Sequence, residues 1–126
     1  MTKDKVQVID ADSSCPALPL VEGEGEARAV IWPGVGAALR SMHVILLGPG
    51  SRTIEMQHPM EAVYYVRSGT VTACDFADDS GQEAETGSMI FVEPETAYRL
   101  SADEGSAELL GGPCPPDLAL YEHLDW

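Results

Sequence analysis

The stretch GSRTIEMQHPMEAVYYVRSG, residues 50–69, places one histidine between two glycines and shortly before a β-rich run. Five residues separate Gly50 from Met56, one separates Met56 from His58, three lie between His58 and Ala62, and six more lead to the second glycine. The run AVYYV is rich in aromatic and β-branched residues, which favour strands. The stretch therefore predicts a turn, a polar segment that carries His58, and a strand that ends at a second turn.

Similar short β-rich runs recur along the chain, and connections rich in Gly, Pro, Asp and Ser separate them. The predicted strands cover residues 27–32, 40–47, 52–56, 62–67, 70–76, 88–92, 96–100 and 107–111. Short strands at this spacing are typical of an antiparallel sandwich or barrel. We expect an all-β chain with a single domain, in which residues 1–26 form an N-terminal arm or edge segment, 27–112 the barrel, and 113–126 a C-terminal arm or short helix.

Charge and cysteine content narrow the class of protein. The 126 residues include 7 basic and 21 acidic side chains, a formal net charge of −14. Nucleic acids and anionic membranes need clustered Lys and Arg, so neither is expected as a partner. No apolar run approaches the roughly 18 residues of a membrane span. Cys15, Cys74 and Cys114 are odd in number and widely spaced, which favours free thiols, and we expect a cytoplasmic protein.

A second spaced pattern follows the first after a gap of 17 residues. It begins at Gly87 and continues through Glu93, Glu95 and Tyr98 to Ala102, with intervals of five, one, two and three residues. Together the two patterns resemble the paired signature of the cupin superfamily, G-x5-H-x-H-x3-E-x6-G and G-x5-P-x-G-x2-H-x3-N. The resemblance implies a small jelly-roll barrel, commonly a homodimer, with a pocket for a small molecule inside it.

The ligand positions of that signature are largely replaced. Cupins of this type hold a divalent metal with three histidines and a glutamate, and those positions here read Met56, His58, Ala62 and Tyr98. The segment HPMEAVYYV is also similar to a segment of ectoine synthase, another cupin, in which the glutamate is a metal ligand. That similarity makes Glu61 a candidate ligand beside His58 for iron, copper or zinc. Because side chains alternate along a strand, Glu61 faces away from Ala62 unless a bulge turns it inward.

The same alternation predicts the contents of the pocket. One face is expected to carry Met56, His58, Ala62, Tyr64 and Val66, with Tyr98 opposite them. Such a cavity is mostly apolar with a few polar tips, as small-molecule sites usually are. Imidazole titrates near neutrality and a phenol can donate a proton or bind an oxyanion, so His58 and Tyr98 are the candidate catalytic residues. Met56, Glu61, Tyr64 and Val66 are candidate substrate-binding residues.

Three functions remain open from these residues. The first is acid–base catalysis of the isomerase, lyase or cyclase type, with no metal or a weakly bound one. The second is a metal-dependent enzyme with an unusual site built from His58, Glu61 and Tyr98. The third is a barrel that binds a metabolite without catalysis. His43 and His123 are expected to be structural or exposed. The run 40–47 is apolar on both faces, which predicts that a second subunit covers its outer side.

Overall fold

Eleven strands and two short 3₁₀ helices make up the computed structural model, which describes residues 5–126. The first four residues of the predicted N-terminal arm lie outside the described residues. The 3₁₀ helices span Pro33–Val35 and Leu118–Tyr121. The strands are β1 Ala17–Leu18, β2 Val21–Glu22, β3 Gly25–Ile31, β4 Met42–Leu47, β5 Arg52–Thr53, β6 Glu61–Ser68, β7 Thr70–Asp75, β8 Ser80–Glu85, β9 Met89–Val92, β10 Tyr98–Ser101 and β11 Ala107–Cys114.

The strands form two antiparallel sheets that face each other. One sheet has six strands in the order β1-β3-β4-β11-β6-β9, and the other has five in the order β2-β5-β10-β7-β8. The predicted all-β, single-domain architecture is confirmed. In the part of the chain that the structure describes, no continuous ladder joins the two sheets, so the predicted barrel takes the form of two facing sheets. Within residues 5–126, no helix has the length and hydrophobicity that crossing a membrane requires.

Three strands have no counterpart among the predicted ones: the two-residue strands β1 and β2, and the longer β8. β8 has the sequence SGQEAE, and in it only Ala84 is buried. It pairs along its whole length with β7, from Thr70 opposite Glu85 to Asp75 opposite Ser80. A strand at the edge of a sheet needs little apolar surface when its neighbour supplies the hydrogen bonds. The hydrophobic pattern therefore carries no signal for β8, and its first residues resemble a turn.

The core lies between the sheets and follows strict alternation on β6. Ala62, Tyr64 and Val66 face inward and are buried, whereas Glu61 and Tyr65 face outward. The pairing of β6 with β11 is regular from Val66 to Glu61, so no bulge turns Glu61 inward in this described segment. The face that β6 presents to the interior is therefore the one predicted from the sequence.

The C-terminal segment packs against the core through Leu120, Tyr121 and Leu124. Asp117 begins the second 3₁₀ helix, and its Oδ1 accepts a hydrogen bond from the backbone N–H of Ala119 at 3.2 Å. Tyr121 ends that helix and is fully buried, with its ring 5.1 Å from Trp32 and 6.4 Å from Trp126 between centroids. Aromatic contacts at these separations stabilise packing beyond the buried area alone. They fix the segment that carries Asp117.

The outer face of the six-stranded sheet carries a row of apolar residues. A row of directly paired residues runs across four of its strands, and it consists of Val44, Leu110, Tyr65 and Met89. Phe91 on β9 extends the row and is 60% exposed. A contiguous exposed apolar surface is typical of a contact between subunits. The homodimer stays a prediction, which light scattering of the purified protein would decide.

Candidate functional site

The two spaced patterns of the sequence meet at an isolated β-bridge between Met56 and Tyr98. The Met56 N–H donates to the Tyr98 carbonyl at 2.9 Å, and the Tyr98 N–H donates to the Met56 carbonyl at 2.8 Å. The backbone N–H of Glu95 also donates to the His58 carbonyl at 2.7 Å. These bonds hold the segment of His58 against the start of β10, so the two candidate catalytic side chains enter the interior side by side.

The hydroxyl of Tyr98 is the centre of a buried cluster. It lies 2.9 Å from His58 Nε2, 2.6 Å from the Tyr64 hydroxyl and 4.0 Å from Met56 Sδ. His58 and Tyr98 are each only 3% exposed, and Tyr64 is 1% exposed. Hydrogen bonds are stronger in such a low-dielectric interior than in water. The structure therefore brings together four residues that the sequence placed in the pocket.

Asp117 completes the cluster and was missing from the sequence prediction. Its Oδ2 lies 2.8 Å from His58 Nδ1, although 59 positions separate the two residues. An aspartate ahead of LALY is a typical N-cap, so the sequence does carry a signal for a helix start at Asp117. This N-cap pattern is local, so it does not predict that the second carboxylate oxygen of Asp117 contacts His58.

The carboxylate determines where the protons lie along this chain of hydrogen bonds. An ionised carboxylate only accepts, so His58 Nδ1–H donates to Asp117. With a proton on Nδ1 alone, Nε2 accepts the proton of the Tyr98 hydroxyl, and the Tyr64 hydroxyl then donates to the Tyr98 oxygen. The order is Tyr64 to Tyr98 to His58 to Asp117. A hydrogen bond from one ring nitrogen to a carboxylate, like that from His58 Nδ1 to Asp117, fixes the tautomer and orientation of an imidazole.

Burial keeps both phenols protonated. Desolvation raises the pKa of Tyr98 far above its usual value, and the neighbouring Tyr64 raises it further. Desolvation also raises the pKa of Tyr64, which is fully buried. The charged phenolate is disfavoured at both positions because the interior cannot solvate it. Tyr98 is therefore a neutral donor at physiological pH.

A second buried pair of histidine and tyrosine lies in the same interior. His43 Nε2 is 2.7 Å from the Tyr121 hydroxyl, while Nδ1 has no partner among the described residues. Burial, and then the like charge of His58, lower the pKa of His43 to about 4. Burial raises the pKa of Tyr121 to about 12. The third histidine, His123, is exposed and contacts the Ala17 carbonyl at 3.0 Å.

A cavity of about 530 Å³ lies beside the cluster, between β9 of one sheet and β7, β8 and β10 of the other. Tyr98 is part of its wall. Met56, His58, Tyr64 and Val66 are not part of it, because they fill the interior behind Tyr98. The cavity has the size of a small-molecule site and opens to solvent where the two sheets separate. Tyr98 therefore stands between the cavity and the buried chain of hydrogen bonds.

Comparison with known proteins identifies the fold. No protein-family model and no curated protein matches the sequence. Among solved structures, the polyketide cyclase RemF from Streptomyces resistomycificus is similar at 18% identity and a TM-score of 0.70, over 88% of this chain and 82% of that one. A predicted oxalate decarboxylase from Thermotoga maritima has 17% identity and a TM-score of 0.69, over 87% of this chain and 100% of that one. An RmlC-like cupin from Shewanella frigidimarina has 14% identity and a TM-score of 0.68, over 88% and 93%. This chain has the cupin fold.

The side chains at the cupin metal positions do not fit that metal centre. Of the four positions only His58 is an imidazole, and its two ring nitrogens already contact Asp117 and Tyr98. Glu61 is exposed on the outer face of β6, so the structure does not bring it to His58. The residues that the structure describes contain no group of three or more His, Cys, Asp or Glu side chains arranged to hold an ion. Divalent metals in proteins need three or more such ligands at fixed positions.

Proposed function

We propose that this cupin-fold chain binds a small organic molecule in the cavity beside Tyr98 and moves a proton to or from that molecule through Tyr98 and His58. The observation that supports the proposal is the buried chain from Asp117 through His58 to Tyr98, which ends at the cavity wall. A carboxylate, an imidazole and a phenol in this order can pass a proton without leaving an unpaired charge. A purely apolar interior would fill the same space at lower cost, since buried polar groups must each be satisfied.

The raised pKa of Tyr98 determines how a proton can be taken from the substrate. A free phenolate is costly in this site, so the base step is concerted. The Tyr98 oxygen takes a proton from the substrate while its own proton moves to His58 Nε2. One proton enters the chain and one reaches the imidazole, and the substrate keeps the electron pair of the broken bond. The imidazolium that results is paired with the Asp117 carboxylate 2.8 Å away.

Proton donation runs the same chain in reverse. The imidazolium returns its proton to the Tyr98 oxygen as the Tyr98 hydroxyl protonates the substrate. The Tyr64 hydroxyl stays hydrogen-bonded to the Tyr98 hydroxyl, 2.6 Å away, in both directions of transfer. The buried thioether of Met56 lies next to the same oxygen and keeps water away from it.

Removal of a proton at one atom and its return at another is the basis of isomerisation, elimination, dehydration and cyclisation. RemF is described as a polyketide cyclase. Its similarity to this chain shows the fold alone, but cyclisation is among the reactions that the proton chain would serve. The substrate class is therefore a small molecule with an acidic C–H bond next to a carbonyl or similar group.

Exchange of substrate protons with heavy water tests the proposal, because this measurement does not require the product to be identified. The protein is incubated in D₂O with a panel of small carbonyl compounds, and mass spectrometry measures deuterium incorporation. We expect incorporation into at least one compound that the protein binds, with a loss of about 10²-fold or more in Tyr98→Phe.

His123→Gln is the matched control, because it alters an exposed histidine that bonds to the Ala17 carbonyl, away from the cluster. It should exchange at the rate of the unaltered protein. Equal rates in Tyr98→Phe and the unaltered protein, or binding without exchange across the panel, would overturn the proposal.

A binding protein without catalysis is the second candidate. It is favoured by the saturation of the Tyr98 hydroxyl, which already contacts His58 and Tyr64. In that case the polar cluster stabilises the core and the cavity alone binds the ligand. The same experiment separates catalysis from binding alone. If the protein only binds, the Tyr98→Phe variant still binds the ligand, and no deuterium enters the ligand with either protein.

A further inference from the structure

The wall of the cavity next to Tyr98 carries a carboxylate. Asp75 on β7 pairs directly with Tyr98 on β10, and Ala73 pairs with Leu100 in the same ladder. Directly opposed residues of an antiparallel pair project to the same face of the sheet, with Cβ atoms about 5 Å apart. Tyr98 and Leu100 are buried on the inner face. Asp75 therefore faces the cavity beside the Tyr98 ring, and both residues line it.

The rest of the wall consists of apolar, neutral polar and acidic side chains. Its apolar part includes the inward residues Ala73, Ala84, Leu100, Ile90 and Val92. Its polar side chains include Asp75, Gln82 and Glu93, and within residues 5–126 no lysine or arginine lines the cavity. Gln82 pairs with Ala73 on the neighbouring strand, which places it on the inner face as well. The site thus combines an apolar floor with acceptors of hydrogen bonds and negative charge.

No protein cation neutralises these carboxylates among the described residues. The ion pairs there involve Glu22, Glu26, Glu108 and Asp117. Asp75 Oδ1 accepts a bond from the Ala77 N–H at 2.9 Å, and no donor in the described part of the chain is bonded to Oδ2.

Arg99 lies next to Tyr98 in sequence but on the other face of β10, where it bonds to the Thr53 carbonyl and packs over the Phe76 ring. A carboxylate in a cleft without a counterion attracts cations, and the net charge of −14 strengthens that field.

We propose that the cavity binds a small organic cation, such as a substituted ammonium ion, with Asp75 facing its positive charge and the apolar floor in contact with its hydrocarbon part. This adds a positive charge to the carbonyl compound of the proposed function, and in that respect it rests on the proposed function. An anionic molecule of the same size would be repelled by Asp75 and Glu93. Binding would place the cation directly beside the Tyr98 ring, at the end of the proton chain.

Matched probes that differ only in charge test the proposal. Choline and 3,3-dimethylbutan-1-ol have nearly the same shape, and the quaternary nitrogen of the first is a carbon in the second. Butylammonium and butan-1-ol form a second pair. We expect isothermal titration calorimetry to show that at least one cation binds about tenfold or more tightly than its neutral partner. Asp75→Asn should reduce that ratio by a factor of about three or more and leave the affinity for the neutral probe unchanged.

Asp103→Asn is the matched control. It removes one negative charge from the chain at an exposed position outside the cavity, where Asp103 accepts a bond from the Thr72 hydroxyl. An equal loss of cation preference in Asp75→Asn and Asp103→Asn would overturn the proposal, as would equal affinities within each pair or no binding of either cation.

Tyr98→Phe should keep the preference for the cation. A failure of deuterium exchange would therefore count against proton transfer alone, and a failure of charge selection would count against the assigned substrate class alone.

Discussion

Two pairs of histidine and tyrosine lie buried in this interior, and one residue distinguishes them. His58 bonds to Tyr98 at 2.9 Å and His43 bonds to Tyr121 at 2.7 Å. The other ring nitrogen of His58 faces the Asp117 carboxylate, whereas that of His43 has no partner among the described residues. A buried imidazole can hold a second proton only if an opposite charge compensates the loss of water. We therefore propose the first pair for proton exchange and not the second, whose imidazole is neutral above about pH 4.

The second pair still contributes to the first. Asp117 and Tyr121 bracket a single 3₁₀ helix, Leu118–Tyr121. His43 and Trp32 hold the Tyr121 end of that helix inside the core. The Asp117 end is thereby kept at hydrogen-bond distance from His58. One pair is suited to chemistry, and the other positions the carboxylate that the chemistry needs.

Removal of the carboxylate charge should have the largest effect. Asp117→Asn keeps the size of the side chain but leaves the His58 imidazolium without its counterion. We expect deuterium exchange to slow by about 10²–10⁴-fold, the usual contribution of a positioned acid–base pair. An Asp117→Asn variant that exchanges at the rate of His123→Gln would show that the two buried pairs do not differ in function.

The next effect is a pH dependence of stability that comes from His43. Its pKa falls from 6.5 in the unfolded chain to about 4 in the folded protein, so the unfolded state binds more protons between these values. Stability from neutral His43 is fully present above about pH 6.5 and is lost as pH falls through about 4. The difference corresponds to about 3 kcal/mol in the free energy of unfolding.

Urea unfolding between pH 7 and pH 4 measures this contribution. His43→Gln cannot titrate, so its stability should fall less steeply with decreasing pH than that of the unaltered protein. His123→Gln should retain the original slope, because His123 is exposed. Identical slopes in all three proteins would show that His43 does not carry the effect.

The smallest expected effect is a difference in stability between the variants Tyr98→Phe and Tyr121→Phe. Tyr98→Phe deprives both His58 Nε2 and the Tyr64 hydroxyl of a buried partner, whereas Tyr121→Phe deprives His43 Nε2. Each unsatisfied buried group costs about 1–3 kcal/mol, so Tyr98→Phe should destabilise the protein more. Chemical denaturation at neutral pH measures both. A larger loss in Tyr121→Phe would mean that anchoring the C-terminal segment outweighs the Tyr98 cluster.

Much of the fold could be predicted because local backbone chemistry dictates it. Gly50, Gly69 and Gly87 all adopt positive φ, at 77°, 83° and 94°. At Gly69 a Cβ atom would also lie 2.3 Å from the Ser106 carbonyl oxygen, so no other residue suits that turn. Glycines at these intervals, with alternating strands between them, are visible in the sequence alone. They also led to the prediction that His58 and Tyr98 enter the same interior.

The rest depended on contacts between distant parts of the chain. The sequence by itself determined most of the strands and turns and the inward face of β6, since these follow from side-chain alternation and glycine conformation over a few residues. Only the tertiary structure joined Asp117 to His58, paired the polar strand β8 with β7, and placed the cavity beside Tyr98 and Asp75. Long-range packing decides these features, and no local pattern records which distant side chain meets a given hydrogen-bond donor or acceptor.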